Sequence, residues 1–281
     1  LAYGFVTWDD PIIIWFNPLV QQWSQSPLAE RLLTPNLGYP MPLPVAIYAA
    51  TFSMFPNSPA FLLHAVSTTL HIGNALLLLA LGTRLLGARK PAIFAAGIWA
   101  LHPIVVEGVA WCSNLKELLY TSALFAALLF WDRFLESEAR SRRLGGAVLA
   151  ALLLGFASKP TMLVAPVAML VLGVVRHKEV MRQKGALVIQ ILGLVWSAGW
   201  WWLSTRMHNE GLLGESAANF ATRDYGVTVL KSVGLQVWHW INPTTLQPYY
   251  PEQLVAFDAF AILGGLASLG WIAGVVWAWR K

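Results

Sequence analysis

The sequence predicts an all-α, polytopic transmembrane helix bundle, and three observations carry that prediction. Hydrophobic residues make up 57% of the 281-residue chain and charged residues 12%, more apolar side chain than one soluble core can bury. Residues 61–83, 185–205 and 256–279 are apolar runs long enough to cross about 30 Å of hydrocarbon. Basic residues gather in short segments between apolar runs: Arg84, Arg89 and Lys90; Arg133, Arg140, Arg142 and Arg143; Arg176, Lys178, Arg182 and Lys184; and Arg280 with Lys281. By the positive-inside rule these segments are cytoplasmic, so Asp9, Asp10, Glu107, Lys159 and Arg223 fall on the outer side. The net charge of +5 therefore reads as topology and not as a nucleic-acid footprint. Many of the fifteen Trp, among them Trp99, Trp131, Trp200 and Trp277, sit near the ends of apolar runs, as an interfacial belt requires. The single Cys112 excludes an intramolecular disulfide and a cysteine metal cluster.

Taken in order, Leu1 to Val6 is apolar but too short to span, and reads as the tail of a helix that starts upstream. Two adjacent carboxylates follow, Asp9 and Asp10, and Pro11 prevents a simple helical continuation. Neighbouring carboxylates repel, so one of them is suited to a general base or to a divalent-cation ligand; the alternative is a solvated helix terminus. Residues 7–60 hold seven prolines between Pro27 and Pro59 among scattered aromatics, which predicts a long first outer loop with short surface helices. Along the span 61–83, His64, His71 and Asn74 recur at spacings of seven and three, placing them on one face for helix-to-helix hydrogen bonding.

Residues 91–101 are only eleven long and, at ~1.5 Å per residue, cannot reach across a bilayer. The polar stretch 101–119 therefore begins below the outer surface, and its His102, Glu107, Lys116 and Glu117 mark a candidate site, because charge at bilayer depth is costly. In one unbroken helix Glu107 and Lys116 would point opposite ways; a break near Ser113-Asn114 would bring them together. Residues 118–131 return the chain. Runs 144–157 and 161–175 meet at Ser158-Lys159-Pro160, like broken helices that line membrane cavities, making Lys159 a phosphate or carboxylate partner, with an interfacial snorkelling lysine as the alternative. Within a second outer loop, 206–255, the apolar stretch 227–241 is expected to lie in or dip into the interface. No soluble domain, P-loop, GxGxxG or metal-spaced His/Cys cluster is found, so 1–281 reads as one membrane domain continuing past Lys281.

Four motifs in this order, WDDPIIIWFNP at 8–18, ALHPIVVEGVAWCSNLKELLYT at 100–121, ASKPTMLVAP at 157–166 and NPTTLQPYYP at 242–251, resemble GT-C membrane glycosyltransferases. The nearest group is that of the TPR-linked transmembrane O-mannosyltransferase-like proteins. The resemblance implies a GT-C-like bundle with an outward-facing cavity, and an inverting hexosyl or mannosyl transfer from a polyprenyl-phosphate sugar to a hydroxyl acceptor. It implies a catalytic base at Asp9 or Asp10, with Asp9 the usual acid of the pair, and donor or substrate contacts from His102, Glu107, Lys116, Lys159, Arg223 and Tyr250. Implied partners are membrane lipid, the lipid-linked sugar, and a protein acceptor or the subunits of a larger complex; the membrane is a bacterial inner membrane or the endoplasmic reticulum.

The physical reading agrees in kind. Transfer from a lipid phosphate needs a base for the acceptor hydroxyl and cations for the departing phosphate, close together at the outer face. His102, Glu107, Lys116 and Lys159 are expected to line one water-filled cavity with the Asp pair at its rim. Two other readings stay open: an accessory subunit that keeps the architecture without turnover, and a lipid or solute transporter, for which paired halves with matching broken helices would be expected.

Overall fold

Prolines set the helix starts, since the ring fixes φ and removes a donor the first turn does not use. In the computed structural model, which describes residues 4–36, 38–137, 141–179, 181, 183–209, 222–247 and 257–280, this holds repeatedly. A π-helical turn Pro11–Trp15, α1 (Pro18–Gln21), α3 (Pro42–Met54), α4 (Pro59–Leu86) and the 3₁₀ turn Pro160–Leu163 all begin on proline. Gly87, at φ 66°, ends α4 in the left-handed conformation that glycine adopts without strain.

Among the described residues the fold is all-α apart from a hairpin of two-residue strands, β1 (Pro35–Asn36) with β2 (Tyr39–Pro40), paired antiparallel. Together with α2 (Leu28–Leu33), the π-helical turn, α1 and α3, the hairpin gives the first outer loop its short elements. The remaining helices are α5 (Arg89–Leu101), α6 (Val106–Ala110), α7 (Leu115–Glu136), α8 (Arg142–Phe156), α9 (Val164–Arg176), α10 (Lys184–Asn209), α11 (Thr222–Ile241) and α12 (Ala259–Arg280). Among the described residues, four stretches are long and apolar enough to cross a membrane: α4, Cys112–Glu136, Lys184–Met207 and α12. A fifth span results if Arg89–Leu101 and Pro103–Ala110, bent by 55°, count as one. Their outward faces are apolar, with Ile191 and Val195 on α10 and Leu266, Leu269 and Ile272 on α12 all exposed, a surface that suits lipid and not water.

The chain divides into two compact units, one from residues 1–101 and 105–211, the other from 102–104 and 212–281. In the first, α7 is central. Trp131 is fully buried and its indole donates to the Met169 carbonyl of α9 (2.8 Å), while Phe134, Val148, Leu152 and Phe156 fill the space between α7 and α8. The α4 face foreseen from spacing points into this bundle: Asn74 donates to the Leu118 carbonyl (3.0 Å) and accepts from Ser122 (2.6 Å), and the His71 ring meets the Ala100 carbonyl (2.9 Å). Such bonds hold helices together where burial from water gives no drive.

In the second unit α11 and α12 run antiparallel in close contact. A Cβ built on Gly234 would lie 1.9 Å from the Phe260 carbonyl oxygen, and one on Gly264 1.8 Å from that of Leu230. The backbones approach as only glycine allows. Lys231, the residue that interrupts the apolar run, is 6% exposed and its ammonium lies 2.6 Å from Asp258. The 227–241 segment, expected in the interface plane, lies in α11 packed along α12, and it is not among the stretches long and apolar enough to cross a membrane.

Candidate functional site

Four long-range hydrogen bonds fasten residues 7–60 to the two polar breaks of the bundle. Asp10 accepts the Ser113 amide (2.8 Å), Tyr48 of α3 donates to the Cys112 and Ser113 carbonyls (3.1 and 3.2 Å), and the Leu43 amide donates to the Ala157 carbonyl (3.0 Å). The acid pair, Lys116 and the Ser158-Lys159-Pro160 turn are thereby placed in one region. Burial pushes the Tyr48 phenol well above its ordinary range, reinforced by the Asp10 charge, so it remains a donor.

The two acids differ in kind. Asp10 is completely buried, and both of its oxygens are engaged by backbone amides, Oδ2 by Val6 and Oδ1 by Ser113, each at 2.8 Å. Asp9 is half-buried and its carboxylate makes no hydrogen bond among the described residues; only its backbone oxygen is used, accepting from Ile12 (3.1 Å) and Ile13 (2.9 Å). Pro11 and the π-helical turn produce the difference, turning one carboxylate inward and leaving the next one out. Asp9 is therefore the carboxylate free to accept a proton.

The polar stretch breaks at Trp111, whose backbone is extended (φ −94°, ψ 118°), and continues as a 3₁₀ turn Cys112–Asn114 before α7. The break falls two residues ahead of the Ser113-Asn114 position expected, and among the described residues Glu107 and Lys116 form no ion pair with each other. Glu107 is exposed and accepts from Asn114 (3.2 Å), because the 3₁₀ turn swings Asn114 back over α6. Lys116, 6% exposed, donates to the Ser113 carbonyl (3.1 Å).

Lys159, in the extended residue before Pro160, forms an ion pair with Glu117. Both side chains are partly exposed, at 24% and 33%, so the pair is exchangeable and contributes at most a fraction of 1 kcal/mol. Tyr39 of β2 completes the group: burial first, then Glu117 and Asp9, push its phenol up to about 12. Tyr39 and Tyr48 were not picked out from sequence, where the sole local sign is a tyrosine beside the Gly38 turn (φ 86°).

His102 belongs to the second unit, where Nδ1 accepts from the Ile104 amide (3.1 Å). The proton is then on Nε2, which donates to the Trp240 carbonyl (3.2 Å), the rings lying 4.4 Å apart. Both nitrogens are thus engaged within the second unit. The side chain of Arg223, in the first turn of α11, and all of Tyr250 lie outside the described residues.

The cavity expected over Glu107, Lys116 and Lys159 does not coincide with the cavities described. The largest of these, about 670 Å³, is lined by His64, Thr68 and His71 of α4 with Val6, Val106 and Val109, and two others lie within the first outer loop. None is bordered by Asp9, Lys116 or Lys159. For a divalent cation, both Asp10 oxygens are already engaged by backbone amides at a fully buried position, and Asp9 is the unengaged carboxylate of the pair. Among the described residues, the one trio of His, Cys, Asp or Glu close enough to share an ion is Asp132, Glu136 and His177. Its carboxylates are already bound by Arg84 and Arg176.

Compared with protein-family models, with curated proteins and with solved structures, the chain matches none.

Proposed function

We propose that the chain is a membrane glycosyltransferase of GT-C type, moving a sugar from a polyprenyl-phosphate donor to a hydroxyl acceptor at the outer face. The single observation that supports it most is the unpartnered, half-exposed Asp9 carboxylate beside the buried Lys116 and the exchangeable Lys159–Glu117 pair. An acid free to take a proton and cations able to take a phosphate are the two components such a transfer needs.

In this reading the acceptor hydroxyl loses its proton to Asp9 as its oxygen attacks the anomeric carbon. The bond from that carbon to the phosphate oxygen breaks, and the leaving polyprenyl phosphate keeps the electron pair. Lys159 exchanges Glu117 for the phosphate, and Lys116 contributes a point charge in a low-dielectric setting. Asp10 holds Ser113, and through it the start of α7, in register with Asp9. The protein is then a multi-pass membrane protein, and membrane lipid and the lipid-linked sugar are its partners.

The test is transfer by the purified chain in nanodiscs from a radiolabelled polyprenyl-phosphate hexose to a mixed panel of serine/threonine peptides and saccharides. The reading expects product with the wild type and none above background with Asp9→Asn, which keeps the shape and removes the proton acceptor. Equal product from both would overturn it.

An accessory membrane subunit without turnover is the second reading. It is favoured by one specific observation: Lys116 and Lys159 are both occupied within the protein, and no described cavity opens beside them. Failure of the wild type to bind a polyprenyl phosphate would support it.

A further inference from the structure

The first outer loop contains a cavity of about 660 Å³ that the transfer reading does not use. Sites for small ligands occupy roughly 300–1,000 Å³. Its floor is the face of α3 presenting Ala46, Ala49 and Ala50, where small side chains leave the space open. Two indoles, Trp15 and Trp23, stand at its sides, and Gln21, Ser24 and Ser53 supply neutral polar groups.

Both indoles are held in place. Trp15 is 45% exposed, yet its ring meets Phe5 and Phe52 edge-on at 5.8 and 5.5 Å. Trp23 has the Arg31 guanidinium over its ring at 5.3 Å, and Arg31 is itself tied to the Ser26 and Ser24 carbonyls (2.8 and 3.0 Å). Gln21 uses one N–H on the Trp15 carbonyl (2.9 Å), keeping its side-chain oxygen and second N–H free to pair. The Ser24 and Ser53 hydroxyls make no hydrogen bond among the described residues.

No lining residue carries a charge. The nearest cation, Arg31, stacks on Trp23 and is tied to the Ser24 and Ser26 carbonyls without lining the space, so a phosphate, carboxylate or ammonium would find no charged partner among the lining residues, which selects a neutral ligand. A hydrocarbon tail would leave an amide and two hydroxyls unmatched. A pyranose matches every part: its C–H face packs on the electron-rich face of an indole, and its hydroxyls both donate to and accept from Gln21, Ser24 and Ser53.

We propose that this cavity is a binding site for a neutral saccharide, one or two hexose units in size. The site does not depend on transfer chemistry: it would present a sugar, free or on a lipid, at the outer face whether or not Asp9 is a base.

The experiment is saturation-transfer NMR on the full chain in zwitterionic phospholipid nanodiscs. One arm uses free mannose, glucose, N-acetylglucosamine and maltose; the other uses the same hexoses on a short glycolipid. Transfer to pyranose ring protons is expected, in both arms for a site that takes free sugar and in the second arm alone for one that takes sugar on lipid. Trp23→Ala should reduce it about tenfold, the size of a lost aromatic contact. Ala50→Trp should do the same by filling the space while removing no contact, so a loss there is not a folding defect. Asp9→Asn should leave it unchanged, which separates this site from the transfer reading. No ring-proton signal in either arm, saturation of the alkyl chain alone, or undiminished signal in both cavity variants would overturn the proposal.

Discussion

Asp10 accepts the backbone amide of Ser113 from a position 103 residues away in sequence, and its other oxygen accepts the amide of Val6. This completely buried carboxylate is the joint between the first outer loop and the polar break that starts α7. Beside it, Asp9 has a carboxylate with no such duty. An acidic dipeptide is thus divided into a structural member and a chemically free one.

The division predicts opposite phenotypes. Asp10→Ala orphans two amides, at roughly 1–3 kcal/mol each, so the midpoint of thermal unfolding in detergent should fall by several degrees. Asp10→Asn keeps one acceptor and should fall about half as far. Asp9→Asn should melt with the wild type, because its carboxylate holds nothing. A melt lowered as much by Asp9→Asn as by Asp10→Ala would remove the distinction.

Some of this was legible in sequence and some was not, for reasons that separate by range. The α4 face carrying His64, His71 and Asn74 follows from helical period, and Asn74 does bond to Leu118 and Ser122. The shortness of 91–101 and the meeting of two short helices at Lys159 are matters of length and proline placement. Which of Asp9 and Asp10 turns inward depends on a π-helical turn that no periodicity announces. Tyr48 reaches a carbonyl 64 residues away, and local pattern contains nothing of such a contact. Instead of a Glu107–Lys116 ion pair, a break at Trp111 followed by a 3₁₀ turn gives Glu107 to Asn114 and Lys116 to the Ser113 carbonyl.

The Lys159–Glu117 pair predicts a second contrast. If Lys159 exchanges its carboxylate for a donor phosphate, Lys159→Met should weaken polyprenyl-phosphate binding by about 1.5–3 kcal/mol, or about 10- to 150-fold. Glu117→Gln should tighten it, by releasing the lysine from its competitor. Titration of the phosphate in nanodiscs reads both. Unchanged affinity in Lys159→Met would assign the residue to its ion pair alone.

In the second unit, the crossing of α11 and α12 at Gly234 and Gly264 predicts a position-specific intolerance. Gly264→Ala places a methyl 1.8 Å from the Leu230 carbonyl oxygen, which cannot move without parting the helices. The cost should be at least the roughly 1–3 kcal/mol of an overpacked core. Gly265→Ala is the control, since a Cβ there meets nothing within 4 Å. Thermal melts of the two variants should differ by several degrees; equal melts would mean that the close approach is absent.

The same unit supplies a pH dependence. Lys231 holds the Asp258 carboxyl below its usual value of 3.8, assisted by the Ala261 and Phe260 amides, against a smaller opposing effect of desolvation. A carboxyl whose pKa is lower folded than unfolded binds fewer protons in the native state through that window. Its contribution is therefore complete above the unfolded value, near 3.9, and is lost as pH falls through the folded one. Between pH 6 and 5 the contribution should be flat; below about pH 4 the melting temperature of the wild type should decline. Asp258→Asn retains an acceptor for the α12 amides but loses the charge opposite Lys231. It should begin from a lower melting temperature at pH 6 and show a smaller decline on acidification, the two curves converging toward pH 2 to 3. Parallel curves across the whole range would show that the Lys231–Asp258 pair does not couple to folding, and the buried ammonium of α11 would then need another counter-charge.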